Sequence, residues 1–162
     1  MILLGLGANL PSCAGSPAET LHAVLGRFAN LDIAPTAVSD FFVTKAWPDP
    51  GDPEFVNAVA RIETTLAPRD LMFQLHALEV EFGRRRGAPN AARSLDLDLL
   101  DYHGRTDAGP PRLPHPRMDG RGFVLIPLAQ IAPGWRHPLS GRTVEELIAE
   151  LPAEARAVRR IA

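Results

Sequence analysis

The sequence predicts an α+β fold: an antiparallel sheet with helices packed on one of its faces. Two segments, Phe55–Thr64 and Leu95–Tyr102, alternate apolar and polar residues with the period of a half-buried strand. Two others, 17–28 and 68–82, repeat apolar residues at helical spacing. The 16 prolines cluster between these periodic segments, where they end elements rather than interrupt them.

The elements follow in order. Ile2–Leu6 reads as a short buried strand, and Gly7–Ser12 as the turn out of it. Ser16-Pro17-Ala18-Glu19 has the form of a capping box with proline at the first helical position, and Leu21, Val24, Leu25 and Phe28 form the buried stripe of the helix that follows. Ile33–Thr44 reads as one strand. Lys45–Pro53 holds three prolines, a glycine and two aspartates, so it is a loop. In Phe55–Thr64, Val56, Ala58, Ala60 and Ile62 share one face, and Phe55, Asn57, Val59, Arg61 and Glu63 the other. Pro68 opens a second helix with Leu71, Leu75, Leu78 and Phe82 on its stripe and Gly83 as terminator. Arg84–Ala92 is a basic loop. Gly122–Ile131 is apolar and reads as a short helix broken near Pro127; Thr143-Val144-Glu145-Glu146 caps a last helix through Leu151. The order strand, helix, strand, strand, helix, strand, then an irregular and helical C-terminal extension, is that of a ferredoxin-like βαββαβ sandwich, with the sheet face opposite the helices free to build a site.

At 162 residues the chain is long enough for one domain with a real core. A net charge of −2 gives no global attraction for nucleic acid or acidic membranes, so any anion site is local. The single cysteine, Cys13, excludes an intrachain disulfide and fits a cytoplasmic protein; no apolar run is long enough to span a bilayer.

Chemistry concentrates in Arg93-Ser94-Leu95-Asp96-Leu97-Asp98-Leu99-Leu100. Leu95, Leu97 and Leu99 point one way, Asp96 and Asp98 the other. Two carboxylates on one strand face repel, and a hard divalent cation held with substrate phosphates neutralises such a pair. Arg84, Arg85, Arg86 and Arg93 stand just upstream. Acid pair and basic loop together suggest Mg²⁺–nucleotide chemistry; the competing reading is a solvated strand face beside solubilising charges.

The segments LGLGANL at 4–10, FVNAV at 55–59, LEVEFGRRR at 78–86, RSLDLDLLDY at 93–102 and LPHPRMDGRGFVLIPL at 113–128 together resemble the 6-hydroxymethyl-7,8-dihydropterin pyrophosphokinase family of folate biosynthesis. The resemblance implies one pyrophosphokinase domain over 1–162, the ferredoxin-like sandwich, two Mg²⁺ ions, and transfer of the β,γ-pyrophosphoryl unit of ATP to the pterin's hydroxymethyl oxygen with release of AMP. It implies Asp96 and Asp98 as metal ligands, with Asp96 also facing the pterin. Arg84 and Arg93 are then catalytic, holding charge in the transition state. His76, Glu79, Arg86, Arg93, His115 and Arg121 contact ATP; Asn9, Thr44, Phe55, Asn57 and Phe123 form the pterin pocket. Asp101 is expected as a surface or capping carboxylate, and His22, His103 and His137 as structural. Before the acidic strand the chain is one residue shorter than the family pattern, aligned from Arg86, and lacks its tryptophan; Trp47 is the expected replacement for that stacking surface. The two long loops are expected to close over both substrates. The implied partners are two small molecules, ATP and the pterin, bound by a monomer with no nucleic-acid or membrane partner. Competing functions are a Mg²⁺-dependent phosphohydrolase using the same aspartates, a catalytically degenerate relative, and a nucleic-acid module, which wants exposed aromatics that a 6% aromatic content does not supply.

Overall fold

The computed structural model describes residues 1–46, 49–85 and 92–161; Trp47 and Arg86 lie outside the described residues. Strand β1 (Ile2–Ala8) is followed by α1 (Pro17–Phe28), β2 (Ala34–Val38), β3 (Phe41–Thr44), β4 (Phe55–Glu63), α2 (Pro68–Glu81), β5 (Asp96–Tyr102), α3 (Gly122–Ile131), α4 (Val144–Glu150) and β6 (Arg159–Ile161). The strands form one antiparallel sheet in the order β5-β1-β4-β3-β6, with β2 also on β4. Among the described residues, no helix is long and apolar enough to cross a membrane.

The ferredoxin-like reading holds, and local chemistry explains its details. Both capping boxes form: Ser16 with Glu19 at the start of α1, and Thr143 with Glu146 at the start of α4. Gly83 ends α2 with φ +85°, a conformation that favours glycine. β1 runs to Ala8 rather than Leu6 because Gly7 pairs with Asn57 on one side and Asp96 on the other.

The single strand expected over 33–44 is two strands broken at Ser39 and Asp40. Ser39 N–H donates to Val59 O at 2.9 Å, but Val59 N–H returns its bond to the Ser39 hydroxyl at 3.0 Å, so a side chain replaces a ladder carbonyl. Asp40 N–H leaves the ladder for Gln130 Oε1 at 2.8 Å. Nor does Pro127 break α3, which is continuous across it. The missing N–H costs one helical bond; full burial of Val124, Leu125 and Leu128 offsets it, each large apolar side chain contributing about 1.5–3 kcal/mol.

Two cores sandwich the sheet. Leu21, Val24 and Phe28 of α1 and Leu71, Leu75 and Leu78 of α2 pack on Ile2, Leu4, Leu6, Ala58, Ile62, Leu97 and Leu99. On the opposite face the C-terminal extension packs Val124, Leu125, Leu128, Trp135, Val144 and Leu147 against Leu3, Val59 and Leu100. The extension therefore occupies the end of this face around Leu3, Val59 and Leu100. Gly7, Asn57 and Asp96 stand further along the same strands, toward the loop ends.

Candidate active site

Strand parity assembles the site. Gly5 and Gly7 of β1, Phe55 and Asn57 of β4, Thr44 of β3 and Asp96 and Asp98 of β5 share the face opposite α1 and α2. Gly7 separates the polar groups of the two neighbouring strands: a Cβ there would lie 3.3 Å from Asn57 Oδ1 and 4.0 Å from Asp96 Cβ. Glycine thus lets Asn57 and Asp96 flank a bare stretch of backbone.

Asp96 is gripped from two sides. Arg84 Nη1 donates to its Oδ1 at 2.7 Å, and Arg93 Nη1 lies 3.0 Å from its Oδ2. Arg84 Nη1 also pairs with Glu79 Oε1. That oxygen accepts the Leu97 N–H at 2.7 Å, so Glu79 ties α2 to the backbone between the two aspartates. Glu79 is only 5% exposed; burial pushes its carboxyl up to about 7, against the pull of the Leu97 N–H and Arg84.

Asp98 has a looser pair of partners, with His115 Nε2 at 3.8 Å and Arg121 Nη1 at 3.9 Å from Oδ2. Its carboxyl is raised from the usual range, first by burial and then by repulsion from Asp96. Burial lowers His115 and Arg121 in turn. Arg117 N–H donates to His115 Nδ1 at 3.2 Å, which makes Nδ1 the acceptor of a neutral ring and leaves Nε2–H aimed at Asp98. Arg117, which sequence left without a role, thus orients His115 through its backbone.

On the other side of Gly7, Asn57 Nδ2 donates to Thr44 Oγ1 at 3.0 Å. The Arg121 guanidinium stands 5.4 Å from the centre of the Phe123 ring. Asn9 spends its amide on backbone, accepting from Arg93 N–H and donating to Pro53 O. Asp96, Asp98, Arg84, Arg93, Glu79, His115 and Arg121 therefore form one charged cluster, with Asn57 and Thr44 beside it. His76 is exposed on α2, and among the described residues it makes none of the contacts that join this cluster.

Asp101 is not a surface residue. Leu100 is an extra residue in the β1–β5 register, and this bulge swings Asp101 into the second core at 2% exposure. There Trp135 Nε1 donates to its Oδ2 at 2.8 Å, while Gly104 N–H donates to Oδ1 at 2.9 Å, the capping half of the expectation. His22 packs against Phe41 with the two rings tilted, and His137 receives the Ser140 N–H, as structural histidines.

Residues 3–133 match the family model of 7,8-dihydro-6-hydroxymethylpterin-pyrophosphokinase. The chain belongs to this family. Among its pyrophosphokinase relatives, the 2-amino-4-hydroxy-6-hydroxymethyldihydropteridine pyrophosphokinase of Pseudomonas aeruginosa is 40% identical over 156 residues, covering 94% of this chain and 93% of the relative. The enzyme of the same name from Haemophilus influenzae is 40% identical over 134 residues (80% and 79%), and that from Synechocystis 34% over 155 residues (94% and 77%). The pyrophosphokinase match spans the whole charged cluster and both loops, whereas α4 and β6 lie beyond it.

Proposed function

We infer that the chain is a 6-hydroxymethyl-7,8-dihydropterin pyrophosphokinase of folate biosynthesis, built as one domain over residues 1–162. The pterin's hydroxymethyl oxygen attacks the β-phosphorus of ATP, the bond to the α-phosphate oxygen breaks, and AMP leaves as the hydroxyl proton is lost. The observation that carries this reading is the acid pair Asp96/Asp98 ringed by Arg84, Arg93, Arg121 and His115 and set beside the Asn57–Thr44 amide and hydroxyl.

The donor set fits Mg²⁺. Among the described residues no three acidic, histidine or cysteine side chains converge into a closed metal cage; two carboxylates that leave further positions to phosphate oxygens are what Mg²⁺ takes in nucleotide sites. Asp96 and Asp98 would hold two such ions, whose charge neutralises and aligns the triphosphate. Arg84 and Arg93, both paired with Asp96, present planar donor forks to the phosphates as charge shifts between them. His115, held with Nε2–H inward, and Arg121 take the other side of the polyphosphate. Asn57 and Thr44 bond the pterin edge, with Phe55 and Phe123 supplying ring surface. Glu79, His76 and Arg86 are assigned to the nucleotide side and Trp47 to stacking.

The test is AMP formation from ATP and Mg²⁺, with and without the hydroxymethyl pterin, in wild type and Asp96→Ala. AMP that depends on pterin, lost by about a thousandfold or more in the variant, supports the reading, since several kcal/mol of charge stabilisation go with the metal site. AMP or phosphate released regardless of pterin overturns it in favour of a hydrolase.

A further inference from the structure

Asn9 follows directly on β1 and is 3% exposed. Its Oδ1 accepts the Arg93 N–H at 2.7 Å, and its Nδ2 donates to the Pro53 carbonyl at 3.1 Å. Its own N–H and that of Leu10 donate to the Arg93 carbonyl at 3.1 and 3.2 Å. Both backbone groups of Arg93 are thus held by residues 9 and 10, and the same side chain holds the backbone of Pro53. These two segments lead to opposite halves of the site. Arg93 reaches Asp96, while Pro53 follows the turn that Asp52 N–H closes on Asp49 and runs into Phe55 and Asn57. One planar amide with an acceptor and a donor serves both segments; a carboxylate or a hydroxyl offers no such pair at that reach. Because the group is buried, both bonds matter.

We propose that Asn9 is a positioning residue that couples the two ligand sites, passing the placement of Arg93 on the nucleotide side to Pro53, and so to Phe55 and Asn57 on the pterin side. The proposal rests on the pyrophosphokinase reading. A nucleotide that fixes Arg93 fixes the far end of the Asn9 amide, and Pro53 is fixed with it; coupling of this kind is reciprocal and typically about 5–150-fold in affinity.

The experiment is titration calorimetry of 6-hydroxymethyl-7,8-dihydropterin into wild type, Asn9→Asp and Asn9→Ala, each with and without a non-hydrolysable ATP analogue and Mg²⁺. Asn9→Asp keeps the acceptor for Arg93 N–H but turns an oxygen toward the Pro53 carbonyl; Asn9→Ala removes both bonds and serves if the aspartate variant does not fold. The readout is the ratio of pterin affinities with and without the analogue, which a general loss of fold or affinity does not move. The expected result is a wild-type ratio of at least about fivefold, collapsing toward one in the variants. A ratio kept in both variants, a ratio of one in wild type, or an equal loss of pterin affinity in both conditions overturns the proposal, the last making Asn9 a direct pterin contact. Wild type that binds neither ligand overturns the pyrophosphokinase reading itself, and the coupling with it.

Discussion

Arg84 Nη1 stands 2.7 Å from Asp96 Oδ1, so a guanidinium holds a carboxylate oxygen that a metal ion would also need. Arg93 takes the other oxygen at 3.0 Å. Cation binding at Asp96 competes with both. Arg84→Ala is therefore expected to bind Mn²⁺ or Mg²⁺ alone several-fold more tightly than wild type, by calorimetry without nucleotide. Turnover should nonetheless fall by about a hundredfold or more, because a charge-assisted donor to the phosphates is gone. Metal affinity that stays the same or weakens would contradict the competition.

Glu79 gives the protein a pH dependence whose sign is fixed. Its carboxyl is raised from 4.5 to about 7, chiefly by burial, so the folded protein keeps a proton that the unfolded chain has already released. Stability from this group is complete below about pH 4.5 and is lost as pH rises through 7, about 3 kcal/mol in all. Asp98, also raised, acts in the same direction; His115, lowered by burial, acts oppositely as pH falls through 6.5. Glu79→Gln removes one contributor only. Urea unfolding at pH 5 and pH 8 should show a stability difference smaller in the variant than in wild type by up to that amount. Parallel pH profiles would show that Glu79 is ionised in both states.

Much of this was legible in the sequence because it depends on period alone. Alternation in 95–100 puts Asp96 and Asp98 on one face, and that is the face where the structure places them, Asp96 across Gly7 from Asn57 and Asp98 beside Gly5. The capping boxes announce α1 and α4 because their chemistry is local. What escaped depends on partners distant in the chain. The break at Ser39 needs Val59 and Gln130, the bulge at Leu100 that turns Asp101 inward needs the register of β1, and the clamp on Asn9 needs Arg93 and Pro53 at once. No periodicity in a single segment encodes those meetings.

Gly122 begins α3 hard against the backbone of residue 155, where a Cβ would stand 1.7 Å from the Ala155 carbonyl oxygen. Backbone cannot rotate away as a side-chain tip can, so one methyl must displace the C-terminal segment or α3 itself. Gly122→Ala should unfold at markedly lower denaturant or fail to accumulate folded, although alanine is the better helix former. Wild-type stability in urea would mean that the segment after α4 moves freely.

Trp135 Nε1 donates one of the two hydrogen bonds that hold the Asp101 carboxylate inside the second core. Trp135→Phe keeps an aromatic ring against Leu3, Val59 and Leu100 but leaves that buried carboxylate with the Gly104 N–H alone. Losing a partner to a buried charged group costs about 1–3 kcal/mol, more than the net gain from making such a bond in water. For a chain of this size that corresponds to about 2–12 °C in melting temperature. Asp101→Asn retains an acceptor for Trp135 and sheds the charge, so it should cost less than Trp135→Phe, and the two losses combined should fall short of their sum because both act on one bond. Thermal unfolding of the two single variants and the double variant measures this directly. Additive losses would mean that Trp135 stabilises the extension by packing alone, with Asp101 held by its bond to Gly104.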